Sequence, residues 1–416
     1  MNILCYDYGG SSHHTLVELV KSGHTVYKSW TSRNQKNYEI SLGIKHVDKT
    51  DSDMIGAYRP SNDELIKLTE DLILKYDIDV LKVDNPSHSS FLHEHFYKKV
   101  KYIGVSKEIY LLESNKLHSK SIAESVGINV PNILKHGKYF DDDYGTNVTF
   151  PCVEKPSNEL LPATVFNNEY EFKAGIGVFP RDMNVDYFIE EFIDNALDIQ
   201  VSYVMSAGEY FITDIFTTIG LCKNKGVFQN PWILGTEFHS LESRADLLVR
   251  EEAHKYLKEI AKLGGHWEGS LGGAYRDDHQ YYFFENNVRP DILASSNNFM
   301  TGDEYLKGIF EDISLFENAW ANKNMQKISV SNENRREPYP IHLHDKYNVT
   351  YPANLNLHDD GNYYAWILGD IRPVIDLQTP GVRAVGTLIC DHNIPSDFIK
   401  ELEETTWHIG TKEFVF

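Results

Sequence analysis

Long apolar runs are missing from this sequence. No stretch approaches the ~20 continuous apolar residues that a bilayer-crossing helix needs, so neither a membrane span nor a membrane partner is expected. Positive charge is also short. Forty Lys+Arg stand against 61 Asp+Glu, a formal charge of -21, which removes the basic field on which nonspecific binding to duplex nucleic acid depends. Cysteine is scarce: Cys5, Cys152, Cys222 and Cys390 form no C-x-x-C pair, and Cys5 and Cys152 sit in apolar runs. They read as reduced core thiols of a cytoplasmic protein. A P-loop, a G-x-S-x-G elbow and an H-E-x-x-H zinc helix are absent, as are internal repeats and low-complexity tracts.

What is present is a chain of 416 residues, 41% hydrophobic and 12% aromatic, enough for roughly three units at about 150 residues each. The N-terminal MNILCYDYGG reads as a strand entering a glycine turn, not as a signal peptide. Strand-like Asn2 to Tyr6 and HTVYKSW flank a helical stripe from Thr15 to Val20. A second stripe from Asn62 to Tyr76 precedes the buried strand IDVLKVD and a turn at Pro86. Strands alternating with helices predict an α/β, doubly wound parallel-sheet domain over 1–105.

From Ser106 to Gly127 the spacing predicts one long helix, closed by Ile128-Asn129-Val130-Pro131. Beyond it, strand candidates at Phe150 to Lys155, Tyr187 to Ile193, Ile199 to Met205, Glu209 to Phe216, Leu271 to Arg276 and Tyr281 to Asn287 have hairpin-like spacing. Helices are expected near Glu169 to Ala174 and Ser243 to Leu263. This is the pattern of an α+β unit over 106–331, followed by a polar linker and a small β-rich unit over 332–416.

Three segments carry chemistry. In FFENNVRPD, Glu285, Asn287 and Arg289 alternate, so on a strand a carboxylate and an amide oxygen share a face with a guanidinium. That set suits a hard cation beside a phosphate or carboxylate; taken alone it also suits the polar face of an ordinary hairpin. PCVEKP puts Lys155 at a strand end, able to reach phosphate oxygens. In FIEEFIDNALD, the strand Glu190-Glu191-Phe192-Ile193 precedes a turn and Asp198. Its backbone is able to read an adenine edge while a carboxylate accepts from ribose hydroxyls. The scattered His13, His14, His88, His93 and His95 and the pair His342 and His344 show no ligand spacing and read as structural.

In order and spacing these segments resemble the ATP-grasp superfamily, and within it the phosphoribosylamine–glycine ligases (glycinamide ribonucleotide synthetases). The matching residues are Gly104-Val105-Ser106-Lys107, Glu113-Ser114-Asn115-Lys116, Gly127-Ile128-Asn129-Val130-Pro131, the three segments above, Gly9-Gly10 with His13, and Ser22-Gly23-His24-Thr25-Val26.

The resemblance implies an ATP-grasp domain at 106–331 and an enzyme that forms a C–N bond through an acyl phosphate, with ATP and Mg²⁺ (or Mn²⁺) as cofactors. It implies Lys116 and Lys155 as phosphate contacts, Glu190 to Ile193 as the adenine-reading strand and Asp198 as ribose partner. Glu285 and Asn287 become metal ligands, Arg289 a catalytic and substrate-binding group, and Gly9, Gly10 and His13 substrate contacts. The implied partners are glycine or another amino acid as the carboxylate and an amine acceptor, acted on by a monomer or homodimer.

The chain departs from the family in three places. The segment after Lys155 lacks glycine, Ser11 and Ser12 replace an Arg-Glu pair, and Asp84-Asn85-Pro86-Ser87-His88 replaces a G-P-E segment. A purine-pathway ligase, a ligase with a changed amine such as a modified nucleotide, and a catalytically silent nucleotide-binding relative therefore all stay open. Glu268 in GHWEGS is a candidate further metal acid, or part of a helix end and turn.

Overall fold

The computed structural model describes residues 1–7, 12–29, 40, 42–47, 61–141, 144–157, 163–174, 184–219, 235–238, 244–276, 278–290, 300–320, 326–332, 346, 364–367, 370–373, 384–390, 396–404 and 407–409. The chain begins with β1 (Asn2–Tyr6), α1 (His13–Lys21), β2 (Thr25–Ser29), β3 (Lys45–His46), α2 (Asn62–Tyr76), β4 (Val80–Val83), α3 (Pro86–Phe96) and β5 (Lys101–Ile103). The strands form an all-parallel sheet in the order β3-β2-β1-β4-β5. Chain direction across the sheet reverses between β1 and β4, so Asp7 and Asp84 follow the carboxyl ends of the two strands at the switch point. In such sheets this is where ligands approach.

Both faces of this sheet are covered. Ile3, Cys5 and Val80 pack toward Leu16 and Leu19 of α1, while Leu4, Tyr6 and Leu81 pack toward Leu65, Leu72, Leu92 and Phe96 of α2 and α3. Ser61 caps α2 with a reciprocal bond to Glu64. Pro86 does not end a turn but opens α3. Asn85 accepts from the His88 amide, and a proline at the first helical position loses no hydrogen bond.

The predicted long helix is two, α4 (Lys107–Ser114) and α5 (Lys116–Ser125). Asn115, at φ -128 and ψ 88, leaves the helical region and caps α5 through its side chain. Then come β6 (Ile133–Gly137), β7 (Cys152–Pro156), β8 (Thr164–Phe166), α6 (Glu169–Ala174) and β9 (Tyr187–Glu191). Their strands make a small sheet ordered β6-β9-β7-β8. One face of it buries Cys152, Phe166, Phe172, Tyr187 and Ile189, leaving Lys155 and Glu190 on the other.

The central sheet, β12-β11-β10-β13-β14, is antiparallel throughout. It comprises β10 (Ala196–Ser206), β11 (Glu209–Ile219), β12 (Gly235–Phe238), β13 (His266–Arg276) and β14 (Gln280–Asn287), with α7 (Arg244–Ile260) between β12 and β13. Leu197, Ile199, Val201 and Tyr203 of β10 point to one face, which is covered by α4, α5 and α7. Asp198, Gln200 and Ser202 therefore line the opposite face. GHWEGS starts β13 after a turn at Gly264 and Gly265, both at positive φ.

Helices α8 (Gly302–Phe310) and α9 (Ser314–Trp320) return to the parallel sheet, where Tyr305, Leu306, Ile309 and Phe316 join its core. The C-terminal residues form β15 (Gln326–Asn332), β16 (Tyr364–Ile367), β17 (Asp370–Pro373), β18 (Ala384–Cys390), α10 (Ser396–Glu403) and β19 (Trp407–Ile409). These strands make a third five-stranded sheet, ordered β17-β16-β18-β15-β19.

Candidate nucleotide and metal site

The site is built where α5, the small sheet and the β13–β14 hairpin meet. Lys116 and Lys120 lie one helical turn apart on α5 and so project from the same side. Lys155 and Glu190 share the other face of the small sheet, because Val153 pairs with Glu190 and Lys155 stands two residues further along. Glu190 Oε1 lies 2.6 Å from Lys155 Nζ, and its Oε2 lies 3.0 Å from Lys120 Nζ. Two ammonium groups thus share one carboxylate that is 1% exposed. Burial raises the Glu190 carboxyl, but Lys155 and Lys120 outweigh it and hold the group below its usual range. Burial brings the Lys120 ammonium down to about 8, against the pull of Glu190.

Hairpin β13–β14 supplies the second half. A bulge between Gly272 and Gly273 inserts Phe284, so Phe283 and Asn286 both turn into the core while Phe284, Glu285 and Asn287 face the site. Lys155 Nζ lies 4.9 Å from the Phe284 ring centroid, and Lys116 Nζ pairs with Glu285 Oε2 at 3.2 Å. Lys116 holds the Glu285 carboxyl down to about 2 despite burial, with Lys155 adding to the effect. Beneath them Asn286 is fixed by Tyr203 Oη, which donates to Asn286 Oδ1 at 2.7 Å.

Arg289 leaves the strand end toward the same face. Its Nε donates to Glu113 Oε1 at 2.9 Å and its Nη2 to Asn287 Oδ1 at 3.2 Å, while Glu113 Oε2 accepts from the Val288 amide at 2.7 Å. Glu113, at the end of α4, therefore orients the guanidinium and pins the strand end at once.

Among the sequence-predicted residues, Lys116, Lys155, Glu190, Glu285, Asn287 and Arg289 form one connected cluster. Asp198 lies on the site face of β10, its carboxyl pushed up to about 6 by burial against the opposing charge of Lys155. The Glu191 side chain accepts from the Asn132 backbone and side chain, Phe192 is exposed, and Ile193 is half-buried. His13 opens α1, with its side chain outside what the structure describes; Gly9 and Gly10 lie outside the described residues, as does most of the glycine-free segment after Lys155.

Glu268 is not beside Glu285. The residue opposite Glu285 on β13 is Gly272, where a built Cβ would stand 3.4 Å from Glu285 Cγ. Glu268 lies four residues down the strand and pairs instead with Lys82 Nζ at 3.0 Å. Sequence reasoning missed Lys120 and the anchoring role of Glu113. The first stands four residues after Lys116, and the second lies inside the matched Glu113-Ser114-Asn115-Lys116 run.

Glu285 and Asn287 offer one carboxylate and one amide oxygen, a donor set that suits Mg²⁺ held chiefly through nucleotide phosphates. Among the described residues, no group of three or more His, Cys, Asp or Glu side chains is placed to hold a metal by itself.

No protein-family model matches the sequence, and no relative is found among curated proteins. Solved structures do match. The L-amino acid ligase of Bacillus licheniformis superposes with a TM-score of 0.64 at 12% identity, covering 98% of each chain. The biotin carboxylase of Campylobacter jejuni, in complex with β,γ-ATP, gives 0.61 at 14% identity over 98% of this chain and 93% of its own. N5-carboxyaminoimidazole ribonucleotide synthetase from Thermotoga maritima gives 0.60 at 13% over 98% and 99%. Identities this low speak for the fold, and the fold of this chain is the ATP-grasp fold.

Proposed function

We propose that this protein is an ATP-dependent carboxylate–amine ligase that joins a small carboxylate, an amino acid in the first instance, to an amine through an acyl phosphate. The observation that carries the reading is the single cluster of Lys116, Lys120, Lys155, Glu285, Asn287 and Arg289 around one sheet end. The L-amino acid ligase and the two carboxylating enzymes of the same fold support it.

In this reading the three lysines neutralise nucleotide phosphate oxygens, with Glu190 holding Lys120 and Lys155 apart and aimed. Glu285 and Asn287 would hold Mg²⁺, which would neutralise phosphate charge as a Lewis acid. Arg289, oriented by Glu113, meets the carboxylate substrate. A carboxylate oxygen attacks the γ-phosphorus and ADP departs; the amine then attacks the acyl carbon, and phosphate and a proton leave. No residue of the chain forms a covalent bond, so catalysis is positioning and charge neutralisation.

Phosphoribosylamine with glycine is one substrate pair, which the motif resemblance supports. A different amine is favoured by the acceptor side, where Ser12 and Asp84 take the places of family motif residues. Asp84 is bound by Lys82, which also holds Glu268 in the same buried network. Gly272 opposite Glu285 favours a second reading, a nucleotide-binding protein without ligase turnover.

One experiment separates these readings: Mg-ATP-dependent ADP release by the purified protein against a matrix of amino acids and amines, with phosphoribosylamine plus glycine as one cell. ADP stoichiometric with a new amide supports the ligase, and the responding cell names the pair. Nucleotide binding without ADP release in any cell supports the second reading.

A further inference from the structure

A cleft of about 880 Å³ opens at the amino-terminal edge of the parallel sheet, the edge opposite Asp7 and Asp84. Asp79 and Val100, which precede β4 and β5, form one wall; Gly265, His266 and Phe310 of the central sheet and α8 form the other. Its size is that of a small-molecule site. None of the residues of the nucleotide cluster lines it.

Its charge runs against that of the chain. In a protein of net charge -21, Lys98, Lys99 and Lys101 all line this one cleft. Each ammonium stands over an aromatic ring: Lys98 over Tyr97 at 5.2 Å, Lys99 over Phe96 at 5.1 Å and Lys101 over Phe310 at 5.1 Å. The rings limit where the ammonium groups go, which lowers the entropy lost when an anion is gripped. Among the described residues Lys98 has no carboxylate partner. Lys99 pairs with Glu70 at 3.1 Å and Lys101 with Glu311 at 4.0 Å, with every side chain about half exposed, so these pairs exchange readily for a better anion. The lining carboxylate Asp79 already accepts from the Asn2 amide at 2.8 Å.

The cleft also lies on the joint between the parallel sheet and the central sheet. Gly104 donates its N–H to the His266 carbonyl at 2.8 Å, and its φ of +149 is fixed from behind, since a Cβ there would stand 2.2 Å from Ser89 Oγ. An anion held by Lys98 and Lys101 touches the entry to β5 on one side and faces His266 of the central sheet and Phe310 of α8 on the other.

We propose that this cleft is a second anion site, separate from the nucleotide site, that takes a di- or triphosphate group either as free oligophosphate or as part of a nucleotide. It does not depend on the ligase reading, because it uses none of that site's residues.

The test is calorimetric titration of the full chain with inorganic pyrophosphate and, separately, with ADP. The proteins compared are wild type, the exposed double variant Lys98→Glu/Lys101→Glu and Lys155→Met. The expected result is pyrophosphate binding weakened at least about tenfold in the double variant but retained in Lys155→Met, with an unchanged melting temperature. Loss of one of two ADP sites in the double variant, without pyrophosphate binding, supports the site and names a nucleotide as the source. Binding of both probes that is the same in the double variant as in wild type, or that is lost only in Lys155→Met, overturns the proposal.

Discussion

Two clusters of lysine and carboxylate lie along one face of the central sheet, about 13 Å apart by strand rise from Gly272 to Glu268, and they are wired differently. In the nucleotide cluster two ammonium groups share Glu190, and Glu285 keeps a third of its side-chain surface open. In the seam cluster, Lys82 Nζ sits 2.6 Å from Asp84 Oδ1 and 3.0 Å from Glu268 Oε2, Tyr305 Oη donates to the same Glu268 oxygen at 3.2 Å, and none of the three charged side chains is more than 5% exposed. Nearby, Lys28 and Asp7 pair at 3.0 Å with no exposure at all. The first cluster has more cation than carboxylate, which in the proposed reading is what meets phosphate. The second places one cation between two carboxylates, one from each sheet, and so joins the sheets.

That contrast is broken most severely at Lys82. Lys82→Met leaves Asp84 and Glu268 buried without their ammonium, and unfolding free energy is expected to fall by about 3–5 kcal/mol, read by urea denaturation. Lys155→Met behaves oppositely. Lys120 still pairs with Glu190, so stability changes by no more than about 1 kcal/mol, while ADP formation drops on the order of a hundredfold or more. Equal loss of stability in the two variants would mean that the two clusters do not differ in this way.

A smaller effect is expected one step back from the reacting groups. Glu113→Gln weakens the charged bond to Arg289 Nε but keeps its shape, and kcat/KM for the carboxylate is expected to fall about tenfold with the ATP KM unchanged. The smallest effect is in pH. The Lys120 ammonium, brought down to about 8, is charged below that pH and neutral above it. Nucleotide binding to the free protein therefore weakens as pH rises through about 8, and Lys120→Arg, whose guanidinium stays charged, flattens that limb. A flat wild-type profile from neutral pH to pH 9 contradicts the assignment of Lys120.

Much of the nucleotide cluster was legible in the sequence because its residues sit in short local patterns. Glu285 and Asn287 alternate on one strand with Arg289 just past its end, and Lys155 lies near the end of another. The seam cluster was not, because Lys82 lies in IDVLKVD, whose apolar neighbours mark only a buried strand, and its partner Glu268 is distant in sequence. Glu268 is the clearest case. The sequence offered it as a further metal acid or as part of a helix end and turn, and strand register sets it four residues along β13 from the position opposite Glu285. The single long helix from Ser106 to Gly127 failed for a local reason, since Asn115 gives up its helical conformation to cap the second half. The parallel sheet and the antiparallel strands followed from hydrophobic periodicity.

The central claim is that a carboxylate is activated by phosphoryl transfer at the Lys116–Lys155–Glu285 cluster. The most direct test uses the responding carboxylate substrate labelled with ¹⁸O in its carboxyl group, with the released phosphate read by mass spectrometry in wild type and Lys155→Met. One ¹⁸O is expected in each phosphate released with ADP and product, with loss of that signal in Lys155→Met. Unlabelled phosphate, or AMP and pyrophosphate in place of ADP and phosphate, would contradict it.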